Sequence, residues 1–178
     1  LFRTRAKKKN MVKKIVGIDK SSSNLKDAIK NGSIDIASNE IGETISDSSI
    51  IFICTPVSQI DKIIRKVIPF TNKGTIISDV GSVKNIFLKT TLNLIKKKCK
   101  FIPGHPIAGT EFSGAINADS DSDLFNNKWC ILTPKNKKDP NVKIIENLWK
   151  KIGMKITIMT AEEHDKIMSV TSHLPHLI

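Results

Sequence analysis

The chain has 178 residues, 39% of them hydrophobic and 26% charged, which fits one globular domain with a sizeable core. Its net charge is +12, but the lysines are dispersed and aromatic residues make up only 5%, a pattern that favours a solvated surface over a stacking platform for nucleic acid. No apolar run approaches the roughly 18–20 residues that span a bilayer. The three cysteines follow no disulfide or metal-ligand spacing, which fits a reducing cytoplasm.

Strand-like and helix-like segments alternate along the chain. Apolar runs predict strands at 14–19, 34–37, 49–54, 75–78, 100–102, 129–132 and 155–159. Helical spacing of apolar residues predicts helices at 24–30, 57–68, 83–95 and 142–152, and a capping box at 160–163 opens a last helix. Residues 108–127 read as a long polar loop. Repeated strand–helix units of this length predict a doubly wound α/β fold with a parallel sheet.

A histidine between two backbone-shaping residues is the most distinctive local feature. Gly104 permits close approach, Pro106 fixes the chain, and His105 between them is predicted to project from a stiffened turn. A histidine in such a place suits proton transfer, because its pKa ordinarily lies near working pH. The alternative interpretation is a tight turn that carries an incidental histidine.

Three motifs occur in a fixed order: DVGSVK at 79–84, GHPIAGTE at 104–111 and TSHLPH at 171–176. Together they resemble the prephenate dehydrogenase family, which includes arogenate and cyclohexadienyl dehydrogenases, over residues 13–178. The resemblance implies a Rossmann-like fold and NAD-dependent oxidative decarboxylation of prephenate to 4-hydroxyphenylpyruvate, or of arogenate to tyrosine. NADP is the alternative cofactor. The resemblance also implies a cytoplasmic homodimer when the protein is full length, with no nucleic-acid or membrane partner.

Two departures from the family pattern shape the expected domain organisation. The sequence holds no G-x-G-x-x-G turn, and it stops where the family's helical domain begins. We therefore expect residues 1–159 to form a dinucleotide-binding domain without its first strand and glycine turn. Residues 160–178 are expected to begin the helical substrate and dimerisation domain. Such a fragment is expected to be inactive alone.

Residues at predicted strand ends are the candidates for cofactor binding, since ligands of open α/β sheets lie beyond the carboxyl ends of the strands. Asp19 is expected to accept hydrogen bonds from ribose hydroxyls and so to favour NAD, or else to cap the next helix. The turn at Cys54, Thr55 and Pro56 faces the cofactor by resemblance, or is an ordinary strand-to-helix turn. Asp79 and Gly81 follow the next strand, and Gly81 allows close backbone approach.

The reacting groups are assigned by resemblance. His105 takes the proton of the substrate's ring hydroxyl while hydride leaves the carbon that bears this hydroxyl. Ser82 orients His105 or caps a helix starting at Val83. By resemblance Thr110, Glu111 and His173 contact the substrate; the alternative for Thr110 and Glu111 is that they are surface polar residues of a loop.

The remaining interpretations concern metals and rival functions. His164 is expected to be a surface helix residue. His173 and His176 share a helix face, but without a cysteine or clear acidic partner no metal site is predicted. Two rival functions stay open: another Rossmann-group dehydrogenase or reductase, and a basic non-enzymatic binding module.

Overall fold

The computed structural model describes residues 11–85, 93, 95, 98–108 and 124–170. These residues form a doubly wound α/β fold with eight strands and four α-helices. In chain order the elements are β1 (Val16–Ile18), α1 (Ser22–Lys30), β2 (Ile36–Ser38), β3 (Ile50–Ile53), α2 (Val57–Val67), β4 (Ile76–Asp79), β5 (Lys100–Phe101), β6 (Gly104–Pro106), β7 (Trp129–Leu132), α3 (Pro140–Lys151), β8 (Lys155–Ile158) and α4 (Ala161–Met168).

The strands pair in three hydrogen-bonded groups, β1–β2, β3–β4–β5 and β6–β7–β8. Four of the five pairs are parallel, as predicted. The fifth, β6–β7, is antiparallel, with His105 opposite Ile131. The prediction of a turn at His105 is therefore wrong, because Gly104–Pro106 is a strand. Only two residues separate β5 from β6, far fewer than a parallel crossover needs, so β6 pairs with the later strand β7 instead.

Strand β4 lies between two hydrophobic clusters, one on each face of the sheet. Ile77 packs in a cluster with Ile60 and Ile64 of α2. Ile76, which points the other way, packs in a cluster with Ile145 and Trp149 of α3. All four residues of β4 are buried, so the sheet is covered on both faces, as in doubly wound folds.

Local capping fixes where the helices begin, and this in turn fixes the turns at the strand ends. The Ser21 side chain caps α1 and the Asp139 side chain caps α3. The predicted capping box is confirmed, because Thr160 and Glu163 exchange hydrogen bonds at the start of α4. Within the described ranges, no helix has the length and apolar character needed to cross a membrane.

Two predicted elements fall largely outside the described residues. Of the helix predicted at 83–95, the described residues Asn85, Asn93 and Ile95 are helical, and Ile95 is buried. Most of the polar loop predicted at 108–127 lies outside the described residues.

Candidate active site

The predicted cofactor residues follow directly on the carboxyl ends of three strands. Asp19 comes after β1, Cys54 after β3, and Asp79 is the last residue of β4. Strands β3 and β4 pair in register with Ile53 opposite Asp79, so their following turns lie side by side. This edge is where open α/β sheets bind their ligands.

Asp19 is exposed and only partly engaged by the protein. One carboxylate oxygen accepts the backbone N–H of Ser21 at 2.8 Å, and the other lies 3.5 Å from the Asn24 amide nitrogen. Ser21, rather than Asp19, is the N-cap of α1. The carboxylate at the end of β1 thus retains acceptor capacity for an external hydroxyl group.

The turn after β3 contains an orphaned polar atom. The Thr55 hydroxyl oxygen is buried and has no hydrogen-bond partner among the described residues. Cys54 and Pro56 on either side of it are exposed. Buried polar atoms in native proteins are usually paired, so an unpaired hydroxyl at the ligand-binding edge fits a bound polar ligand. The Thr55 hydroxyl can donate or accept and the Asp19 carboxylate can accept, and such groups suit the hydroxyls and phosphates of a dinucleotide.

Asp79 anchors the turn after β4 through a buried ion pair. Its Oδ2 lies 2.5 Å from Lys84 Nζ, and both side chains are fully buried. Its two oxygens also accept the backbone N–H groups of Gly81 at 2.9 Å and Gly104 at 3.3 Å. Burial raises the pKa of Asp79 and lowers the pKa of Lys84, and their mutual attraction opposes both shifts. The described partners of Asp79 are therefore groups of the protein itself, and its bond from Gly104 joins β4 to the strand that carries His105.

Gly81 is needed for packing within the protein itself. A Cβ added there would lie 3.0 Å from Asp79 Oδ2 and 3.1 Å from side-chain atoms of Ile60 and Val57. The close approach that Gly81 permits is therefore that of the Asp79 carboxylate and helix α2.

His105 meets a second histidine in the fold. Its Nδ1 lies 2.9 Å from Nε2 of His164, and the rings meet edge to face with centroids 5.1 Å apart. The prediction that His164 is a surface residue is wrong, because it is fully buried. Its burial follows from the helix period: Ala161, His164 and Met168 share one face of α4, and the first two are buried.

Asp165 extends this contact to the turn after β4. One carboxylate oxygen lies 2.7 Å from His164 Nδ1 and accepts the backbone N–H of Lys84 at 2.9 Å. The other accepts the backbone N–H of Asn85 at 2.7 Å. Asp165 was not identified from the sequence, since its partners lie 80 and 81 residues away.

One of the two interpretations of Ser82, that it caps a helix starting at Val83, is wrong. Helical conformation begins at Asn85, and the N–H groups at that point go to Asp165. Ser82 is exposed, and the described hydrogen bond of the His105 ring goes to His164. The physical reason is that a carboxylate from α4 already occupies the capping position.

Several predicted residues cannot be placed. Thr110, Glu111, His173 and His176 lie outside the described residues. Among the residues that are described, no group of three or more His, Cys, Asp or Glu side chains could hold a metal ion.

Comparison with known proteins places this geometry in a family. Residues 3–158 match the family model for the prephenate dehydrogenase nucleotide-binding domain. The chain is 33% identical over 177 residues to prephenate dehydrogenase of Bacillus subtilis, which covers 97% of this chain and 46% of that protein. It is 33% identical over 145 residues to cyclohexadienyl dehydrogenase of Zymomonas mobilis, which covers 81% of this chain and 48% of that protein. The chain thus spans about half the length of these curated relatives.

A solved structure supports the same assignment. Prephenate dehydrogenase of Aquifex aeolicus, in complex with hydroxyphenyl propionate and NAD+, superimposes with a TM-score of 0.87 at 31% identity. The match covers 99% of this chain and 61% of that chain. With the family model matched over residues 3–158, the chain belongs to the prephenate dehydrogenase family, in its nucleotide-binding domain.

Proposed function

We propose that these residues form the nucleotide-binding half of an NAD-dependent prephenate or arogenate dehydrogenase, with His105 as the general base. The observation that carries the proposal is the placement of His105. His105 lies on β6, and the Gly104 N–H of this strand donates to Asp79 at the ligand-binding edge. The Nδ1 atom of His105 lies within hydrogen-bond distance of His164. One ring nitrogen is thus fixed by the protein, while Nε2 is the atom that would face the substrate.

A bound nicotinamide would accept the hydride that leaves the hydroxyl-bearing ring carbon of prephenate. In this proposal His105 Nε2 takes the hydroxyl proton as hydride leaves, so that a carbonyl forms at that carbon. The bond to the ring carboxylate then breaks, carbon dioxide departs, and its electron pair makes the ring aromatic. The resulting phenolate recovers the proton from His105. The protein's tasks are therefore positioning and reversible proton uptake.

The finer assignments are also proposals. Asp19 would accept the ribose hydroxyls and disfavour the 2′-phosphate of NADP. Thr110, Glu111 and His173 would contact the substrate, and Ser82 would lie beside the nicotinamide. We further propose that α4 begins a second, helical domain, and that the complete protein is a homodimer in the cytoplasm, where its three cysteines stay reduced.

A hybrid enzyme tests the proposal. Residues 1–178 of this chain would replace the matching segment of the Aquifex aeolicus enzyme, and the remainder of that enzyme would complete the protein. Formation of NADH or NADPH at 340 nm would be followed with prephenate and with arogenate, using NAD+ and NADP+ in turn. We expect turnover of at least one substrate with NAD+, together with release of carbon dioxide. A folded hybrid that binds NAD+ but oxidises neither substrate would contradict the proposal.

A further inference from the structure

We propose that His164 and Asp165 are positioning residues that fix the tautomer of His105, so that its Nε2 is the proton acceptor. The inference rests on the proposed function and deepens it, because it says how the general base is held ready. The dyad follows directly on the capping box of α4, and it meets His105 from 59 residues away.

The hydrogen-bond chain determines which nitrogen carries each proton. An ionised carboxylate only accepts, so the contact with Asp165 requires a proton on His164 Nδ1. In the neutral ring, His164 Nε2 then carries a lone pair. The 2.9 Å contact with His105 Nδ1 consequently requires the proton on His105 Nδ1. His105 Nε2 is left with a lone pair, which is the form that a general base needs.

The environment keeps Asp165 in its accepting state. Burial raises its pKa, but the hydrogen bonds from His164 and from the backbone N–H groups of Asn85 and Lys84 outweigh that effect, and the pKa is lowered. The other charged groups near the histidine pair, Asp79 and Lys84, are joined to each other. Among the described residues, Asp165 is therefore the carboxylate whose hydrogen bond reaches the pair.

The burial of His164 makes the arrangement stiff. Its side chain is fully buried, so water does not compete for its hydrogen bonds. When His105 takes up a proton, the Asp165 charge stabilises the cation through the intervening ring. Asp165 also holds the turn that follows Ser82, so one residue of α4 braces both the base and the cofactor side of the site.

Substitutions of His164 in the hybrid enzyme test the inference. His164→Phe keeps the ring volume in the buried site but cannot accept from His105. We expect kcat to fall about 10- to 100-fold, the loss associated with a mispositioned catalytic group. On the acid side of the pH profile, kcat falls as the general base becomes protonated. Because protonated His105 is no longer stabilised through His164, this acidic limb should move to lower pH. His164→Gln can accept from His105 and donate to Asp165, so it should restore most of the activity.

A matched control separates positioning from general damage to α4. Glu162→Gln alters an exposed side chain of that helix, two residues from His164, and should leave both kcat and the pH profile unchanged. The positioning role is refuted if His164→Phe lowers kcat but leaves the acidic limb in place. It is also refuted if kcat of His164→Gln is no higher than kcat of His164→Phe.

A measurement on the 178-residue chain itself separates this inference from the proposed function. Long-range ¹H–¹⁵N correlation of histidine-labelled protein near pH 8 should show His105 and His164 protonated at Nδ1, and Asp165→Asn should disturb both. A His105 protonated at Nε2 would overturn the inference even if the hybrid is active. An inactive hybrid with the Nδ1-protonated form would instead refute the proposed function alone.

Discussion

Replacing Lys84 by methionine should strongly destabilise the fold, because it leaves the Asp79 carboxylate buried without its cation. The two side chains are fully buried, with 2.5 Å between Nζ and Oδ2. After the substitution Asp79 keeps only the N–H groups of Gly81 and Gly104 as its described donors. Breaking one side of a buried pair typically costs about 3–5 kcal/mol. For a chain of this size that corresponds to a fall in Tm of about 6–20 °C.

Urea unfolding at equilibrium, followed by circular dichroism, would measure the loss. Lys66→Met is the matched control, because Lys66 is exposed on α2, and its effect should stay within about 0.5 kcal/mol. The double variant Asp79→Asn with Lys84→Met should recover about 2 kcal/mol or more, since no charge is then buried.

The pH dependence gives a second check on the same reasoning. Burial already raises the pKa of Asp79, and loss of the ammonium would raise it further. A carboxyl whose pKa is raised in the folded state destabilises that state increasingly as pH rises above the unfolded value. The deficit of Lys84→Met should therefore be larger at pH 8 than at pH 5. A deficit below about 1 kcal/mol, or one that does not change with pH, would refute the assignment of a buried ion pair.

Two further predictions concern the carboxylates at either end of the site. In the hybrid enzyme, Asp19→Ala should raise KM for NAD+ and reduce the ratio of kcat/KM with NAD+ to kcat/KM with NADP+. A preference for NADP+ before any substitution would show that Asp19 does not select the cofactor. Asp165 has a lowered pKa, so its contribution to stability is present above the unfolded value, near pH 4, and is lost as pH falls through the folded pKa. The urea midpoints of the native chain and of Asp165→Asn should consequently differ at pH 7 and converge below pH 3. If the two midpoints differ equally at both pH values, ionised Asp165 does not stabilise the fold.

Local patterns were sufficient to predict most of the regular structure. The strand at Trp129–Leu132 coincides with the apolar run that predicts it, and the capping box at Thr160 begins α4 as expected. These features depend on neighbours within a few residues, which the sequence displays directly. The antiparallel strand at His105 was missed because its partner, β7, comes after the long segment at 109–123, and residues near each other in sequence do not reveal such a pairing.

The candidate site shows the same division between local and distant information. His105, Asp79 and Gly81 lie in compact motifs, so the sequence points to them. His164 and Asp165 carry no motif, and their role depends on how α4 packs against residues 59 to 81 positions earlier. The burial of Lys84 was also missed, since lysine is almost always exposed unless it is paired. In each case the missing information is tertiary packing.

The central claim, that His105 is the general base, is tested most directly by His105→Asn in the hybrid enzyme. Asparagine is polar and of similar size but cannot take the proton. Steady-state kinetics across pH should show kcat lowered by about 10²–10⁴, with KM for prephenate within a few fold of the native value. The acidic limb of the profile should disappear. Near-normal turnover with that limb intact would contradict the claim and place the base elsewhere, with His173 as the next candidate.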